Sequence, residues 1–229
     1  MSISVIIPAF NEAENLNKLI PLLHKICYSL CEKYELIVVD SRKTKDSSEE
    51  ICCNSGATYI RQDGYGYGDA FRCGIRVSTC EAIVIVDADM SQDISKIPLM
   101  YETLLNGNDV VIGSRYVEGG KTADPIVSVM MSKFLNCIFR LVLKVREKDI
   151  STDFRFYRAE LLKKIETKCE NFDVIEETLF LLKLNNPELR ISEIPIDYKP
   201  RAEGVSKRRL FKFVVSYLKL IVRILYLSL

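Results

Sequence analysis

Two aspartates, Asp87 and Asp89, follow directly after an apolar, β-branched run from Ala82 to Val86. Such a run is typical of a strand that is buried on both faces. Two neighbouring carboxylates at the end of this strand raise each other's pKa, which disfavours ionisation unless a cation lies between them. Mg²⁺ and Mn²⁺ prefer oxygen ligands, and Mg²⁺ often completes its shell with substrate phosphates. Asp87 and Asp89 are therefore predicted to bind a divalent metal that neutralises a diphosphate leaving group.

Strand and helix patterns alternate around these acids. Strands are predicted at 2–8, 35–40, 58–61, 82–87 and 109–113, and helices at 11–30, 47–55 and 69–78, with a further helix ending near Gly107. Asn11 and Glu14 are interpreted as the N-cap and capping partner of the first helix. The glycines Gly64, Gly66 and Gly68 are interpreted as shaping a turn. The alternation predicts an α/β fold with a mostly parallel sheet flanked by helices.

Polar residues collect where these strands end. In a parallel sheet the ligand site lies at the carboxyl ends of the strands, so these residues are predicted to share one rim. Any one of them alone is explained by solvent exposure, but their coincidence favours a binding site. The rim residues are Phe10, Asn11, Glu12, Asp40, Asp87, Asp89, Ser114 and Arg115.

The bulk composition limits the functional classes. A chain of 229 residues suits one well-cored domain, and a net charge of +1 gives no argument for nucleic-acid binding. Residues 201–229 carry seven cations against one anion and are otherwise largely apolar, which is typical of a membrane-surface segment. Eight cysteines without a CxxC pair, behind an N-terminus without a signal-peptide pattern, indicate reduced thiols in a cytosolic protein.

Two segments combine an apolar body with a narrow cationic stripe at helical spacing. In 125–146 the stripe is Lys133, Arg140 and Lys144, and in 208–229 it is Arg208, Lys212, Ser216, Lys219 and Arg223. Both segments are predicted to form helices that lie in the headgroup region of an anionic membrane. The alternative is that both pack on the domain or on another subunit, with the cations as a solvated edge.

Six motifs, in this order, resemble those of family 2 glycosyltransferases, most of all the polyprenyl-phosphate branch that includes dolichol-phosphate mannose synthases. They are VIIPAFNEAENL (Val5–Leu16), LIVVD (Leu36–Asp40), VIVDADMS (Val84–Ser91), DVVIGSRYVEGG (Asp109–Gly120), DISTDFRFYR (Asp149–Arg158) and EIPIDYKPRAEGVSK (Glu193–Lys207). The resemblance implies a Rossmann-like GT-A domain over 1–207, followed by the basic amphipathic helix of 208–229.

The resemblance also implies an activity and roles for single residues. The expected reaction is inverting transfer of a hexose, with mannose or glucose favoured, from a nucleotide-diphosphate sugar to a polyprenyl phosphate, with Mg²⁺ or Mn²⁺ as cofactor. Asp87 would face the sugar and diphosphate, and Asp89 would be the main metal ligand. Asp153 stands where the family frequently has a glycine, and a carboxylate at this position could steer or deprotonate an acceptor. The implied nucleoside-pocket residues are Pro8, Phe10, Glu12 and Asp40, and the implied phosphate-binding residues are Arg115, Arg201 and Lys207, with Ser206 nearby.

The sequence departs from the family pattern after Asp40, where SRKTKDSS replaces a second acid and a small polar turn. This leaves the donor base open. Two alternatives stay open as well: a soluble family member with a saccharide acceptor, and a non-catalytic subunit that binds a nucleotide sugar. The expected location is the cytoplasmic face of a membrane, bound peripherally, and a homo-oligomer or a membrane-anchor subunit is a further candidate partner.

Overall fold

The structure is a computed structural model that describes residues 1–200 and 210–227, with side chains in the second segment described for 216–226. The strands are β1 (Ile3–Ala9), β2 (Tyr34–Asp40), β3 (Thr58–Arg61), β4 (Ala82–Ile85), β5 (Val110–Ser114), β6 (Lys121–Thr122), β7 (Arg155–Arg158), β8 (Ile191–Pro195) and β9 (Asp197–Tyr198). The helices are α1 (Ala13–Leu30), α2 (Ser48–Ser55), α3 (Gly66–Val77), α4 (Ile97–Leu105), α5 (Ile126–Leu143), α6 (Ala159–Leu162), α7 (Val174–Asn185) and α8 (Leu210–Leu227), with a 3₁₀ turn at Ile94–Lys96. The five predicted strands are confirmed as β1 to β5.

Seven strands form one sheet in the order β3-β2-β1-β4-β7-β5-β8, while β6 pairs with β9 apart from it. Within the seven-stranded sheet all neighbours are parallel except β7, which runs antiparallel between β4 and β5. The predicted α/β fold with a mostly parallel sheet is confirmed. No strand was predicted for β7 or β8, because their sequences RFYR and ISEIP contain no continuous apolar run.

Helices cover both faces of this sheet, which explains why its central strands are apolar on both sides. Successive residues of a strand point to opposite faces, so Val5 and Ile7 pack towards α1 and α4. Ile6 packs in the opposite layer, with α3, α5, α7 and α8. These two apolar layers hold the carboxyl ends of β1, β2 and β4 at one edge.

Helix α1 begins differently from the prediction. Asn11 lies in the left-handed region with φ 53° and is not the N-cap, so the predicted capping by Asn11 and Glu14 is wrong. Instead the Asp46 carboxylate of the following loop accepts a hydrogen bond from the Ala13 amide at 2.9 Å. Because a side-chain oxygen from another loop satisfies the helix end, residues 10–12 are left to face the sheet edge.

Both amphipathic segments form the predicted helices, α5 and α8. Among the residues that the structure describes, α5 is the one helix that is long and apolar enough to cross a bilayer. Asn136, Phe139 and Leu143 of α5 are buried against the domain, and so are Tyr217, Leu220 and Ile224 of α8. The ring centroids of Phe139 and Tyr217 lie 5.6 Å apart, so the two helices pack on each other.

Candidate active site

A cleft of about 420 Å³ opens at the carboxyl ends of β1, β2 and β4. The structure brings five predicted residues together in its wall: Pro8 near the end of β1, Phe10 and Glu12 after β1, and Asp87 and Asp89 after β4. Its other lining residues are Ala9, Ser41, Lys43, Gln62, Tyr65, Gly66, Tyr67, Ala70, Ala88, Asn171 and Phe172. The cleft lies where the rim of polar strand ends was expected.

The turn after β4 fixes the two acids by its own hydrogen bonds. Asp89 is 4% exposed, and its Oδ1 accepts hydrogen bonds from the Ser91 amide at 3.0 Å and the Ser91 hydroxyl at 2.5 Å. Met90 has φ 59°, a left-handed conformation that non-glycine residues seldom adopt, which makes the turn tight. The Asp89 carboxylate is therefore held by the turn itself, and the Asp87 backbone is held through its amide, which donates to the Gln92 side-chain oxygen at 3.0 Å.

These acids fit a hard divalent cation that also binds a substrate. Over residues 1–200 and the described part of α8, no group of three or more His, Cys, Asp or Glu side chains is suited to hold a metal ion. A metal at Asp87 and Asp89 would therefore take its remaining ligands from water or from a diphosphate. One or two carboxylates plus substrate phosphates is the usual arrangement for Mg²⁺.

Asp153, on the loop before β7, is held by two side chains that the sequence analysis missed. Tyr67 donates its hydroxyl to one carboxylate oxygen at 2.8 Å, and Gln92 donates its amide to the other at 2.9 Å. Burial and the charge of Asp153 place the pKa of Tyr67 well above its ordinary value, so this phenol remains a donor. Neither residue belongs to a local pattern, because their partner is 86 and 61 residues away.

Tyr198 of β9 lies near the acids and Arg115, and no pattern in the sequence indicates it. Its pKa is raised to about 12, first by burial and then by the charge of Asp87, with Asp89 and Asp153 also contributing. Its ring lies 5.5 Å from the guanidinium carbon of Arg115. Tyr198 therefore connects the acids with Arg115 and stays protonated at neutral pH.

Asp40 does not lie at the cleft surface, contrary to the expectation that it lines the nucleoside pocket. Its carboxylate is fully buried and accepts hydrogen bonds from the Ser41 amide at 2.8 Å, the Thr44 hydroxyl at 2.5 Å and the Tyr59 hydroxyl at 3.1 Å. Burial raises the pKa of Asp40. The side chain shapes the loop after β2, and this loop instead presents Ser41 and Lys43 to the cleft.

Arg115 joins three segments of the domain and is absent from the wall of this cleft. Its guanidinium forms a two-pronged ion pair with the buried Asp149, with both nitrogen–oxygen distances 2.8 Å. Asp124 lies 3.5 Å away, and Ser132 of α5 accepts a further hydrogen bond at 3.4 Å. Two carboxylates therefore already balance this charge, and a phosphate contact of Arg115 stays a prediction. Arg201, Ser206 and Lys207 lie outside the described residues.

Two glycines let the start of α3 approach the segment before α7. A Cβ on Gly66 would lie 2.3 Å from the Glu170 carbonyl oxygen, and one on Gly68 would lie 2.1 Å from the Cys169 carbonyl oxygen. This approach stacks Tyr67 on Phe172, with ring centroids 4.2 Å apart. The glycines therefore do more than shape a turn, since they bring one wall of the cleft together.

The sheet order, the cleft at its edge and the acids after β4 define a GT-A type of α/β fold. Solved structures share this fold. The structure of glucosyl-3-phosphoglycerate synthase from Mycobacterium tuberculosis with Mn²⁺, UDP and phosphoglyceric acid has a TM-score of 0.74 and 20% sequence identity, and the match covers 98% of this chain and 77% of that chain. The same synthase with Mg²⁺ and UDP has a TM-score of 0.72 and 19% identity, over 98% of this chain and 78% of that chain.

Residues 4–166 match the profile of glycosyl transferase family 2, and the chain belongs to this family. It is 32% identical to a dolichol-phosphate mannosyltransferase of Pyrococcus furiosus, over 98% of this chain and 64% of that protein, so it spans about two thirds of this relative's length. It is 29% identical to a polyprenol monophosphomannose synthase of Mycolicibacterium smegmatis, over 89% of this chain and 79% of that protein.

Proposed function

We propose that the protein transfers a hexose, with mannose or glucose favoured, from a nucleotide-diphosphate sugar to a polyprenyl phosphate, with inversion at the sugar. The observation that carries this proposal is the pair Asp87 and Asp89 at one end of an elongated cleft, with Asp153 fixed beside the same turn. The family and the names of the two relatives support the reaction class.

The donor site follows from the shape of the cleft. Asp87 and Asp89 would hold Mg²⁺ or Mn²⁺, which supplies charge neutralisation for a departing diphosphate. Pro8, Phe10 and Glu12 form the middle of the cleft, between these acids and the loops after β2 and β3. An extended nucleoside diphosphate fits this direction, with its phosphates near β4.

The environment of Asp153 supports the proposed acceptor class. A hydroxyl acceptor must lose its proton during attack, so it profits from a general base. A lipid monophosphate already carries negative charge, since phosphomonoesters lose their second proton at a pKa of about 6. Asp153 accepts hydrogen bonds at both carboxylate oxygens, which suits a group that orients ligands better than one that takes up a proton. Orientation and charge neutralisation then lower most of the barrier.

The membrane surface follows from the outer faces of α5 and α8. Val127, Met130 and Phe134 of α5 are 67–69% exposed, and Val222 of α8 is 67% exposed. Other strongly exposed apolar side chains on the two helices are Ile126, Leu141, Leu218, Leu225 and Tyr226. Each helix also buries its opposite face against the domain, so α5 cannot be surrounded by lipid on all sides. We propose peripheral binding of this apolar face to the cytoplasmic side of an anionic membrane.

The reaction is tested by substitution of Asp89. Asp89→Asn keeps the size of the side chain but removes a charge from the metal site, so transfer of labelled hexose to a prenyl phosphate should fall at least about a hundredfold. Glu102→Ala, which removes an exposed acid on α4, should leave the rate unchanged, and chelation of divalent cations should abolish transfer by the unmodified protein.

Three outcomes would contradict the proposal. Unchanged transfer by the Asp89→Asn variant would remove the metal assignment. Stimulation of donor turnover by an oligosaccharide instead of a prenyl phosphate would favour a soluble enzyme with a saccharide acceptor. Nucleotide binding without turnover under any of these conditions would favour a non-catalytic binding subunit.

A further inference from the structure

The cleft has a second end, about two strand spacings from the acids. Ser41 and Lys43 follow β2, and Gln62 and Tyr65 follow β3. In the sheet order β3-β2-β1-β4, neighbouring strands lie about 4.8 Å apart, so this end is roughly 10 Å or more from the end of β4. A nucleoside diphosphate with its phosphates at Asp87 and Asp89 therefore places its base at this second end.

The charge at the second end is positive. Lys43 is the single basic side chain among the described residues that line the cleft. Its ammonium nitrogen lies 5.3 Å from the ring centroid of Tyr65, a cation–π contact at an exposed site. Tyr65 is 62% exposed, so a flat aromatic surface and an ammonium group face the opening together.

Neighbouring polar groups of this loop are engaged elsewhere. The Asp40 carboxylate is buried and hydrogen-bonded within the loop. The Arg42 guanidinium donates to the Asp63 carbonyl oxygen at 2.5 Å, and the Gln62 amide donates to the carbonyl oxygens of Gly64 and Gly66. Lys43 is thus the charged donor that this end offers to a ligand.

We propose that Lys43 and Tyr65 select the base of the donor nucleotide, and that they favour a base with an exocyclic keto oxygen, guanine or uracil, over adenine. An ammonium group is a donor only, so it needs an acceptor on the base. Guanine presents O6 beside N7, and uracil presents O4, whereas adenine places an amino donor beside N7. Tyr65 supplies a stacking surface that accepts every base. This inference rests on the proposed donor site.

Nucleotide binding tests the inference without any need for turnover. The full chain with Mn²⁺ is titrated with GDP, UDP and ADP by calorimetry, and one of the two keto nucleotides should bind about tenfold more tightly than ADP. Lys43→Met keeps the length and apolar stem of the side chain but removes the ammonium group. This variant should lose about tenfold in affinity for the preferred keto nucleotide and little for ADP.

Matched variants separate base selection from other effects. Lys45→Met removes an exposed lysine of the same loop that does not line the cleft, so it should leave all three affinities unchanged. Tyr65→Ala should weaken binding of all three nucleotides, while Tyr65→Phe should not, since stacking needs the ring and not the hydroxyl.

Two outcomes overturn the inference while the proposed function stands. An equal loss of affinity for GDP, UDP and ADP in Lys43→Met would assign the ammonium group to the diphosphate, and unchanged affinities would remove Lys43 from the site. If the unmodified protein binds no nucleoside diphosphate with Mn²⁺, the proposed transferase function itself fails.

Discussion

The side chain of Gln92 joins the turn after β4, which carries Asp87, to the loop before β7, which carries Asp153. Its carboxamide oxygen accepts a hydrogen bond from the Asp87 amide at 3.0 Å, and its nitrogen donates to Asp153 at 2.9 Å. Gln92 is 4% exposed, so water cannot readily replace either contact. Besides the pairing of β4 with β7, this one amide group connects Asp87 directly with Asp153, so Gln92 is a positioning residue.

Replacement of Gln92 should affect the rate more than donor binding. Gln92→Leu removes both hydrogen bonds at similar volume and leaves buried polar groups without partners, which costs about 1–3 kcal/mol, or roughly 10- to 100-fold in kcat. Tyr67→Phe removes only one donor to Asp153 and should have the smaller effect. Steady-state kinetics on both substrates measures this, with the KM for the donor expected to change less than kcat. A Gln92→Leu variant with the kcat of the unmodified protein would show that Asp153 needs no such support.

The predicted residues that line the cleft differ physically from the neighbouring residues that the sequence did not indicate. Asp87, Asp89 and Glu12 stand directly after buried strands, and this local pattern predicts that they reach the sheet edge. Gln92, Tyr67 and Tyr198 act through contacts that the fold creates between distant segments, so no spacing marks them. Asp40 stands at the end of a strand, as Asp87 does, yet its carboxylate accepts hydrogen bonds within its own loop instead of lining the cleft. The polarity of a residue at a strand end does not by itself distinguish a cleft residue from one that stabilises a loop.

Helix α8 shows, for a whole element, that contacts between distant segments cannot be predicted from residue spacing. The periodicity of 208–229 predicted a helix with Arg223 on a cationic stripe, and the helix is confirmed. Arg223 itself forms an ion pair with Glu177 of α7, which is 1% exposed, and no spacing in the sequence predicts this contact. The other Glu177 oxygen accepts hydrogen bonds from the Lys168 and Cys169 amides at 2.8 Å. Helix α8 is thereby linked to the segment that carries the cleft residues Asn171 and Phe172.

Glu176, one residue earlier on α7, couples the packing of α8 to pH. Its carboxyl group is fully buried and contacts the Tyr217 hydroxyl of α8 at 3.2 Å. Burial raises the pKa of Glu176 from 4.5 to about 8, against the opposing effect of the Arg155 charge. Below about pH 4.5 both the folded and the unfolded state hold this proton, whereas between about pH 4.5 and pH 8 only the folded state holds it. The free energy of unfolding should therefore fall as pH rises through this window.

Glu176→Gln tests this coupling. The amide keeps the volume and a hydrogen bond to Tyr217 but does not titrate, so the variant should lose the part of the pH dependence that Glu176 contributes, up to about 1.4 kcal/mol per pH unit. Urea denaturation of both proteins at pH 6 and pH 8 measures the difference. The control is Glu188→Gln, because Glu188 is exposed near the end of α7. Parallel pH profiles for the Glu176→Gln variant and the unmodified protein would mean that the buried carboxyl group has no such effect.

At the scale of the whole molecule, α5 is connected to the segments around the acids through Arg115 and Tyr198. Ser132 of α5 contacts Arg115, the Arg115 guanidinium lies over the ring of Tyr198, and Tyr198 is influenced by Asp87, Asp89 and Asp153. If α5 lies on a membrane as proposed, these contacts connect the helix at the lipid surface with the segments that carry the acids. The cations Lys133, Arg140 and Lys144 border the same face and would favour an anionic leaflet.

Disruption of this face should separate membrane binding from catalysis. The double variant Met130→Glu/Phe134→Glu places two charges among exposed apolar side chains of α5, and both residues are outside the cleft. Its partition into anionic liposomes should fall at least about tenfold, because apolar burial is lost and the new charges repel the lipid. Transfer to a long-chain prenyl phosphate in vesicles should fall in parallel, while transfer to a short, water-soluble prenyl phosphate should be retained.

Tyr28→Glu is the matched control, since Tyr28 is 82% exposed on α1, on the opposite side of the sheet. If the double variant floats with liposomes as well as the Tyr28→Glu variant does, α5 does not contact the lipid, and its apolar face must pack against protein, either a second copy of the chain or an anchor subunit.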